Sequence, residues 1–360
     1  MTNKRVLFHY NVPYDIHLKA LDFEDYEEGI LSNSTFASGL KKGFEANGYE
    51  LEILTRVSFF FNRYKTKNKY IYKYFFYLYL ILFGLIDNYL LQRKILKLFR
   101  NKDFEIYFTE LNPVTTSSFL KSLRSKNIKS IQWFGVFPKN LKFNKRPLKL
   151  LDQFDLIVSS ANLLPFFPKT PKKFLEIFPV YKNYSKINLI KDSSYDILFI
   201  GSLSKIHSNR WDVLEHIYKN FENFGIFGYK IEDVPDSYKF KDSFRGSIWG
   251  EEYYRIIKSS KIIINLFLDD YVHLDSGLNL RVVEVIGNKS FLLTQYSKTL
   301  LKYFKLDKEI AVFYSLDDLK NKINFFLNKE KERQQIIEKG FQKVKNFTYK
   351  NQISNILNSL

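Results

Sequence analysis

Short apolar runs alternate along this chain with segments whose apolar residues recur at helical spacing, the pattern of strands interleaved with helices. Val6-Leu7-Phe8 reads as a first strand. A long loop follows, then a helix over Thr35–Asn47 closed by Gly48, and a second strand at Glu50-Leu51-Glu52-Ile53-Leu54. Ile106-Tyr107-Phe108, Ser130-Ile131-Gln132-Trp133-Phe134 and Leu156-Ile157-Val158 read as later strands, with a helix near Thr116–Arg124. The polar stretch Lys182–Tyr195 lacks either period and reads as a linker. Beyond it the alternation restarts with a strand at Asp196-Ile197-Leu198-Phe199-Ile200, the tight loop Gly201-Ser202-Leu203-Ser204, and a helix over Arg210–Asn220. Strands at Gly225–Gly228, Lys261–Leu266, Phe291–Thr294 and Ile310–Phe313 are predicted, with helices at Glu251–Ser260 and around Leu280–Ile286. Three helices follow, at Asp317–Leu327, Lys331–Val344 and Thr348–Leu360. Such alternation argues for parallel sheets covered by helices. The fold class is therefore α/β, with two doubly wound, Rossmann-like domains facing a central cleft. Their expected bounds are 1–185 and 186–345, and a last helix over 346–360 crosses back to the first domain. A ligand belongs at the carboxyl ends of the strands.

Charge changes this picture in one half only. The 360 residues hold 56 Lys+Arg against 38 Asp+Glu, a formal +18. Residues 56–100 carry ten basic residues against Asp87 alone, and residues 121–149 carry nine with no acid. Each window is therefore +9, and the rest of the chain cancels. A cationic first half attracts anionic lipid head groups, nucleic acid or an anionic glycan, or simply solvates one face. Between the clusters, Tyr74–Ile86 is thirteen uncharged residues, short of the roughly 18–20 that span a bilayer; it reads as a buried or interfacial helix. The chain has no cysteine, which excludes disulfide scaffolds, zinc–thiolate sites and a cysteine nucleophile. With no secretory-type apolar run after Met1, the expected location is cytoplasmic, with peripheral contact at the inner face of the plasma membrane.

Chemistry concentrates in the second half. Gly201 and Ser202 end a strand ahead of Lys205, His207 and Arg210, so backbone N–H groups, a helix N-terminus and two cations converge where a phosphate would sit. Arg281 and Glu284 are three apart and share a helix face. Arg suits bidentate phosphate binding and Glu can accept two ribose hydroxyls, a grip for a nucleoside diphosphate; a plain i,i+3 ion pair is the simpler reading. The loop Asp269-Asp270-Tyr271-Val272-His273-Leu274-Asp275 offers oxygens and one imidazole to sugar hydroxyls, or less convincingly to a metal. No metal site and no cofactor beyond the nucleotide substrate is expected.

Residues 196–350 resemble the C-terminal domain of GT-B glycosyltransferases of the CgeB-like, spore-maturation-type group. The resemblance runs through Ile200-Gly201-Ser202 with Arg210, Ile263-Ile264-Asn265-Leu266, and Gly277-x-Asn279-x-Arg281-x-x-Glu284-x-x-Gly287, to Phe291-Leu292-Leu293-Thr294. It continues through Glu309-Ile310, Tyr314-Ser315-x-Asp317-Asp318-Leu319 and Glu332-Arg333 before Gly340. It implies a nucleotide-sugar donor bound by Gly201, Ser202, Lys205, Arg210, His273, Asn279, Arg281 and Glu284, and an acceptor on the N-terminal side. Cations holding the leaving nucleoside diphosphate lower the barrier without a divalent metal. Ser276, with Asp275 beside it, stands where many retaining members carry a second Glu, so the stereochemical outcome stays open. A phage glucosyltransferase that modifies DNA bases has a similar Gly-Ser…Arg and Arg-x-x-Glu arrangement, but its N-domain Asp base has no counterpart in Trp133–Pro138. An inverting reaction needs another base, for which His9, Asp15 and His17 are the candidates.

The reading is a hexosyltransferase-type glycosyltransferase acting on a lipid-linked or surface-polysaccharide acceptor. Transfer to DNA or protein, and a non-catalytic glycan- or nucleotide-sugar-binding module, are the alternatives.

Overall fold

The computed structural model describes residues 4–10, 12, 16, 19–20, 22–55, 88–101, 104–110, 115–134, 146–161, 163–164, 167, 170–177, 195–267 and 278–360. The chain forms two units, Met1–Phe178 with Tyr349–Leu360, and Pro179–Thr348.

In the first unit β1 (Lys4–Tyr10), β2 (Tyr49–Thr55), β3 (Phe104–Glu110), β4 (Lys129–Phe134), β5 (Leu156–Ser159) and β6 (Phe174–Glu176) form one sheet in the order β2-β1-β3-β4-β5-β6. Every pairing is parallel. Val6, Leu7 and Phe8 are fully buried, as a strand covered on both faces requires. Helices α1 (Tyr26–Asn33) and α2 (Thr35–Glu45) follow β1, and α3 (Ser117–Arg124) precedes β4. The α1 segment lies in what the sequence pattern leaves as loop. Asp25 caps it, accepting from the backbone N–H of Glu27 and Glu28. Strand β6, three residues at the sheet edge, was also not predicted. In the helix over 88–101, Leu91, Ile95 and Phe99 are buried at four-residue spacing while Arg93, Lys94, Lys97 and Arg100 are exposed. Residues 56–87, with the apolar run Tyr74–Ile86, lie outside the described residues. Among the described residues no helix is long and apolar enough to cross a membrane.

The second unit repeats the scheme. Strands β7 (Ile197–Ser202), β8 (Phe224–Tyr229), β9 (Ile262–Asn265), β10 (Leu292–Gln295) and β11 (Ala311–Phe313) lie in the order β11-β10-β9-β7-β8, all parallel. Its helices are α4 (Asn209–Asn220), α5 (Gly250–Ser259), α6 (Leu280–Gly287), α7 (Leu316–Asn328) and α8 (Glu330–Val344). After α8 the chain returns to the first unit, where α9 (Tyr349–Asn358) packs on α2. Small residues allow that contact: a Cβ on Gly39 would overlap the Tyr349 ring, and one on Gly43 would meet Ile353 Cγ1 at 2.9 Å. Asn47 ties the pair by donating to Gly43 O at 2.8 Å and Lys350 O at 2.9 Å.

Each sheet has one reversal of strand order, between β1 and β3 in the first and between β7 and β9 in the second. The carboxyl ends of the strands flanking a reversal diverge and leave room for a ligand.

Candidate functional site

At the second reversal Arg210, in the first turn of α4, spans both strands. Its Nη1 donates to Ser202 O at 2.9 Å and its Nη2 to Leu266 O at 3.3 Å. Asn209 adds a bond to Phe267 O at 3.1 Å. Gly201 is required here because a Cβ would crowd Phe199 and approach Arg210 Nη1 to 3.3 Å. Its carbonyl lies so close to Gly228 of β8 that no side chain fits there either. Ser202 is buried, and its hydroxyl turns into the loop to Ser204 Oγ at 3.1 Å. Lys205 is exposed, and its backbone N–H donates to Asp233 at 3.2 Å.

Helix α6 carries the other half of the site. Its N-cap Asn279 accepts from Val282 N at 3.3 Å, and its amide donates to Asn265 Oδ1 at 2.8 Å. Asn265 in turn donates to Thr294 Oγ1 at 2.8 Å. A buried polar chain therefore locks the start of α6 onto β9 and β10. Val282, Val283, Val285 and Ile286 are buried, which leaves Arg281 and Glu284 on the half-buried side.

Between Arg281 and Glu284 stands Tyr253 of α5, a residue the sequence pattern does not single out. Its hydroxyl donates to Glu284 Oε2 at 2.8 Å and accepts from Arg281 Nη1. The Arg281 guanidinium also lies 4.9 Å from the Tyr253 ring centroid, within cation–π range. The expected i,i+3 pair is thus joined through a phenol held protonated, first of all by burial.

The electrostatics favour an anion. Burial, and then the repulsion of Arg281, hold the Arg210 guanidinium down at about 10, so Arg210 keeps its charge at neutral pH. Buried Nε of Arg210 has no hydrogen-bond partner among the described residues. Burial and Arg210 together lower His207 to about 4, so its imidazole is neutral. A phosphate between the arginines would relieve the repulsion and satisfy free guanidinium donors.

The structure thus brings Gly201, Ser202, Arg210, Asn279, Arg281 and Glu284 to one end of the second sheet. Asn279 uses both side-chain atoms within the protein, and Lys205 points to solvent. His273, with the acidic loop 269–275, lies outside the described residues, as do Asp15 and His17. His9 is fully buried in β1, with Nδ1 2.8 Å from Tyr107 Oη.

Two parallel sheets flanked by helices, each with a reversal of strand order, are the fold of GT-B glycosyltransferases. HepE of Anabaena, in complex with UDP and glucose, superposes with a TM-score of 0.63 at 10% identity over 99% of this chain and 100% of its own. A glycosyltransferase from Rickettsia africae gives 0.59 at 14% identity over 99% and 97%. TarM gives 0.50 at 14% identity over 71% of this chain, and the chain spans 54% of TarM. Residues 208–358, the segment that holds Arg210, Arg281 and Glu284, match the model of the Glycosyl transferase-like family. No curated protein matches the chain in sequence.

Proposed function

We propose that the protein is a glycosyltransferase that takes a hexosyl group from a nucleotide sugar, and that the Arg210–Arg281–Tyr253–Glu284 arrangement is its donor site. The observation that carries this reading is the pair of electrostatically coupled arginines at the strand-order reversal, beside a carboxylate able to accept ribose hydroxyls. Arg210 and Arg281 hold the pyrophosphate, with the Gly201-Ser202 backbone beside it, and Glu284 takes the ribose. As the bond from the anomeric carbon to phosphate breaks, negative charge grows on the leaving group. Two fixed cations there lower the barrier, with no divalent metal called on for that charge.

The acceptor in this proposal is a lipid-linked or surface-polysaccharide precursor met at the inner face of the plasma membrane. Exposed Arg93, Lys94, Lys97, Arg100, Lys121, Arg124, Lys126 and Lys129 support an anionic surface as partner. The same cations would serve DNA, which defines the rival reading.

Thermal shift against a panel of nucleoside diphosphates and nucleotide sugars tests the donor site. UDP comes first, since the HepE complex holds it. A ligand at 100 times its Kd stabilises by about 2.7 kcal/mol. The wild type should show the shift and Arg281→Ala and Glu284→Ala should reduce it; unchanged shifts in both variants reject the site. Binding without hydrolysis or transfer would identify a binding module rather than an enzyme.

A further inference from the structure

The turn that leads from β7 into α4 holds an imidazole as well as cations. Lys205–His207 is a single 3-10 turn, closed by His207 N donating to Ser204 O at 2.7 Å and Ser208 N to Lys205 O at 3.3 Å. Asp233, in the segment after β8, accepts from Lys205 N at 3.2 Å. These bonds fix the backbone of His207 just ahead of Arg210, past the carboxyl end of β7. The His207 side chain is half-buried, and its Nδ1 is shut off from solvent with no hydrogen-bond partner among the described residues. Arg210 Nε is in the same state, while the Nη atoms of that guanidinium are anchored on Ser202 O and Leu266 O. Buried polar atoms in folded proteins find partners, so two neighbouring ones without any call for a ligand. The two differ in kind. The Arg210 Nε–H always donates, whereas a neutral imidazole has one N–H and one bare acceptor and becomes a donor at both nitrogens only when it gains a proton. An anion is the one ligand that suits both.

We infer that His207 completes the anion site, taking up a proton from solvent as the diphosphate of a nucleotide sugar binds and donating from Nδ1 to a phosphate oxygen beside Arg210. This rests on the glycosyltransferase reading above. Before the ligand arrives, burial and the Arg210 charge oppose the imidazolium, and the positive N-terminal end of α4 opposes it further. The charged groups around the turn explain why nothing in the free protein offsets this. Arg210 of α4 and Lys205 of the turn itself are cations, and Arg281 of α6 acts on Arg210 in turn. Of the acids after β8, Asp233 is engaged by the Lys205 backbone and Glu232 pairs with Lys230 at 3.3 Å. Glu284 of α6 is held by Tyr253. A diphosphate reverses the sign of the local field. The partial burial that penalised an imidazolium next to cations then strengthens its bond to the anion. Proton and nucleotide sugar therefore bind together, and each raises the affinity for the other. The sign follows from linkage: the bound state holds the extra proton, so affinity rises as pH falls and levels off only below the free-state value of about 4.

The test is calorimetry on the full chain with UDP-glucose, UDP-N-acetylglucosamine and GDP-mannose, chosen because a diphosphate esterified at both ends keeps its charge between about pH 5.5 and 8.5. For the probe that binds, wild-type affinity should rise about tenfold or more as pH falls across that range. At about pH 6, binding repeated in buffers of different ionisation enthalpy should show uptake of on the order of one proton. His207→Asn keeps a donor amide near the Nδ1 position and does not titrate, so it should bind with no proton uptake and with an affinity that is flat in pH. His207→Gln gives the same readout from a second side chain. Uptake that persists in both variants overturns the assignment, and so does loss of binding in both at the alkaline end of the range, where the wild-type imidazole is neutral. Wild-type binding without proton uptake also overturns it; weaker binding by Arg281→Ala in that case leaves the donor site standing. A wild type that binds none of the three probes removes the donor site and the His207 role together.

Discussion

Tyr253 decides how Arg281 and Glu284 are presented. Without its hydroxyl the two side chains, three apart on one helix face, would be free to meet as a direct ion pair worth a few tenths of a kcal/mol. With it, the guanidinium lies over the ring and one carboxylate oxygen is held, which fixes both before a ligand arrives. Tyr253→Phe keeps the ring and loses both hydroxyl bonds, so nucleotide binding should weaken by about 1 kcal/mol, roughly fivefold. Arg281→Ala removes charge-assisted bonds worth about 1.5–3 kcal/mol and should weaken it on the order of ten- to a hundredfold. Isothermal titration calorimetry with UDP ranks the two, and a larger effect of Tyr253→Phe would contradict this division of labour. Glu110, the last residue of β3, makes a separate prediction about stability. Burial lifts its folded pKa to about 7, above the ordinary 4.5, so the ionised form is the disfavoured one in the native state. The cost is absent below about pH 4.5, grows between there and pH 7, and is complete above. Glu110→Gln should therefore match wild type in unfolding free energy at pH 4 and exceed it at pH 8 by on the order of 2 kcal/mol, read from denaturant titrations at each pH.

Helix α6 shows how an element delivers residues. Its buried stripe of Val282, Val283, Val285 and Ile286 is legible as helical periodicity, and the face of Arg281 and Glu284 follows from it. The polar chain Asn279–Asn265–Thr294 that sets where α6 begins is not legible, because it joins residues 14 and 29 positions apart. Arg333, within the motif Glu332-Arg333, is another contact of this kind. It is buried and donates to the carbonyls of Phe326 and Leu327, closing the end of α7. Helix α1 escaped the periodic pattern although its cap was visible, since Asp25 with Glu28 three residues on is a capping-box spacing. The seat of α9 on α2 is tested by Gly39→Ala. The added methyl would enter the Tyr349 ring, and overpacking of this sort costs about 1–3 kcal/mol. Expected are a lowered Tm and faster hydrogen exchange over 349–358; unchanged exchange there would show that the helix does not depend on this contact.

At the scale of the whole chain, the net charge of +18 lies apart from Arg210 and Arg281. Arg93, Lys94, Lys97 and Arg100 of the helix over 88–101 and Lys121 and Arg124 of α3 face solvent, while Arg210 and Arg281 of the second half lie close enough to repel. Sedimentation with vesicles containing phosphatidylglycerol, beside DNA binding, both at rising salt, distinguishes the two surfaces. Binding to vesicles should weaken as the screening length falls from about 10 Å at 0.1 M to about 3 Å at 1 M. It should also survive competition by duplex DNA. Displacement by DNA at every salt concentration would favour the nucleic-acid acceptor instead.

The chain by itself determined the alternation of strand and helix, the two α/β halves and the charge division. Spacing within one element also placed Arg281 and Glu284 on a common helix face, and Arg210 was singled out after the Gly201-Ser202 turn. Tertiary structure alone decided that Tyr253 stands between Arg281 and Glu284, that Arg210 bridges the ends of β7 and β9, and that Glu110 comes to the reversal beside Tyr10. These depend on strand order and on contacts between residues far apart in sequence. Pattern within a segment does not encode them; they are set by which elements pack side by side.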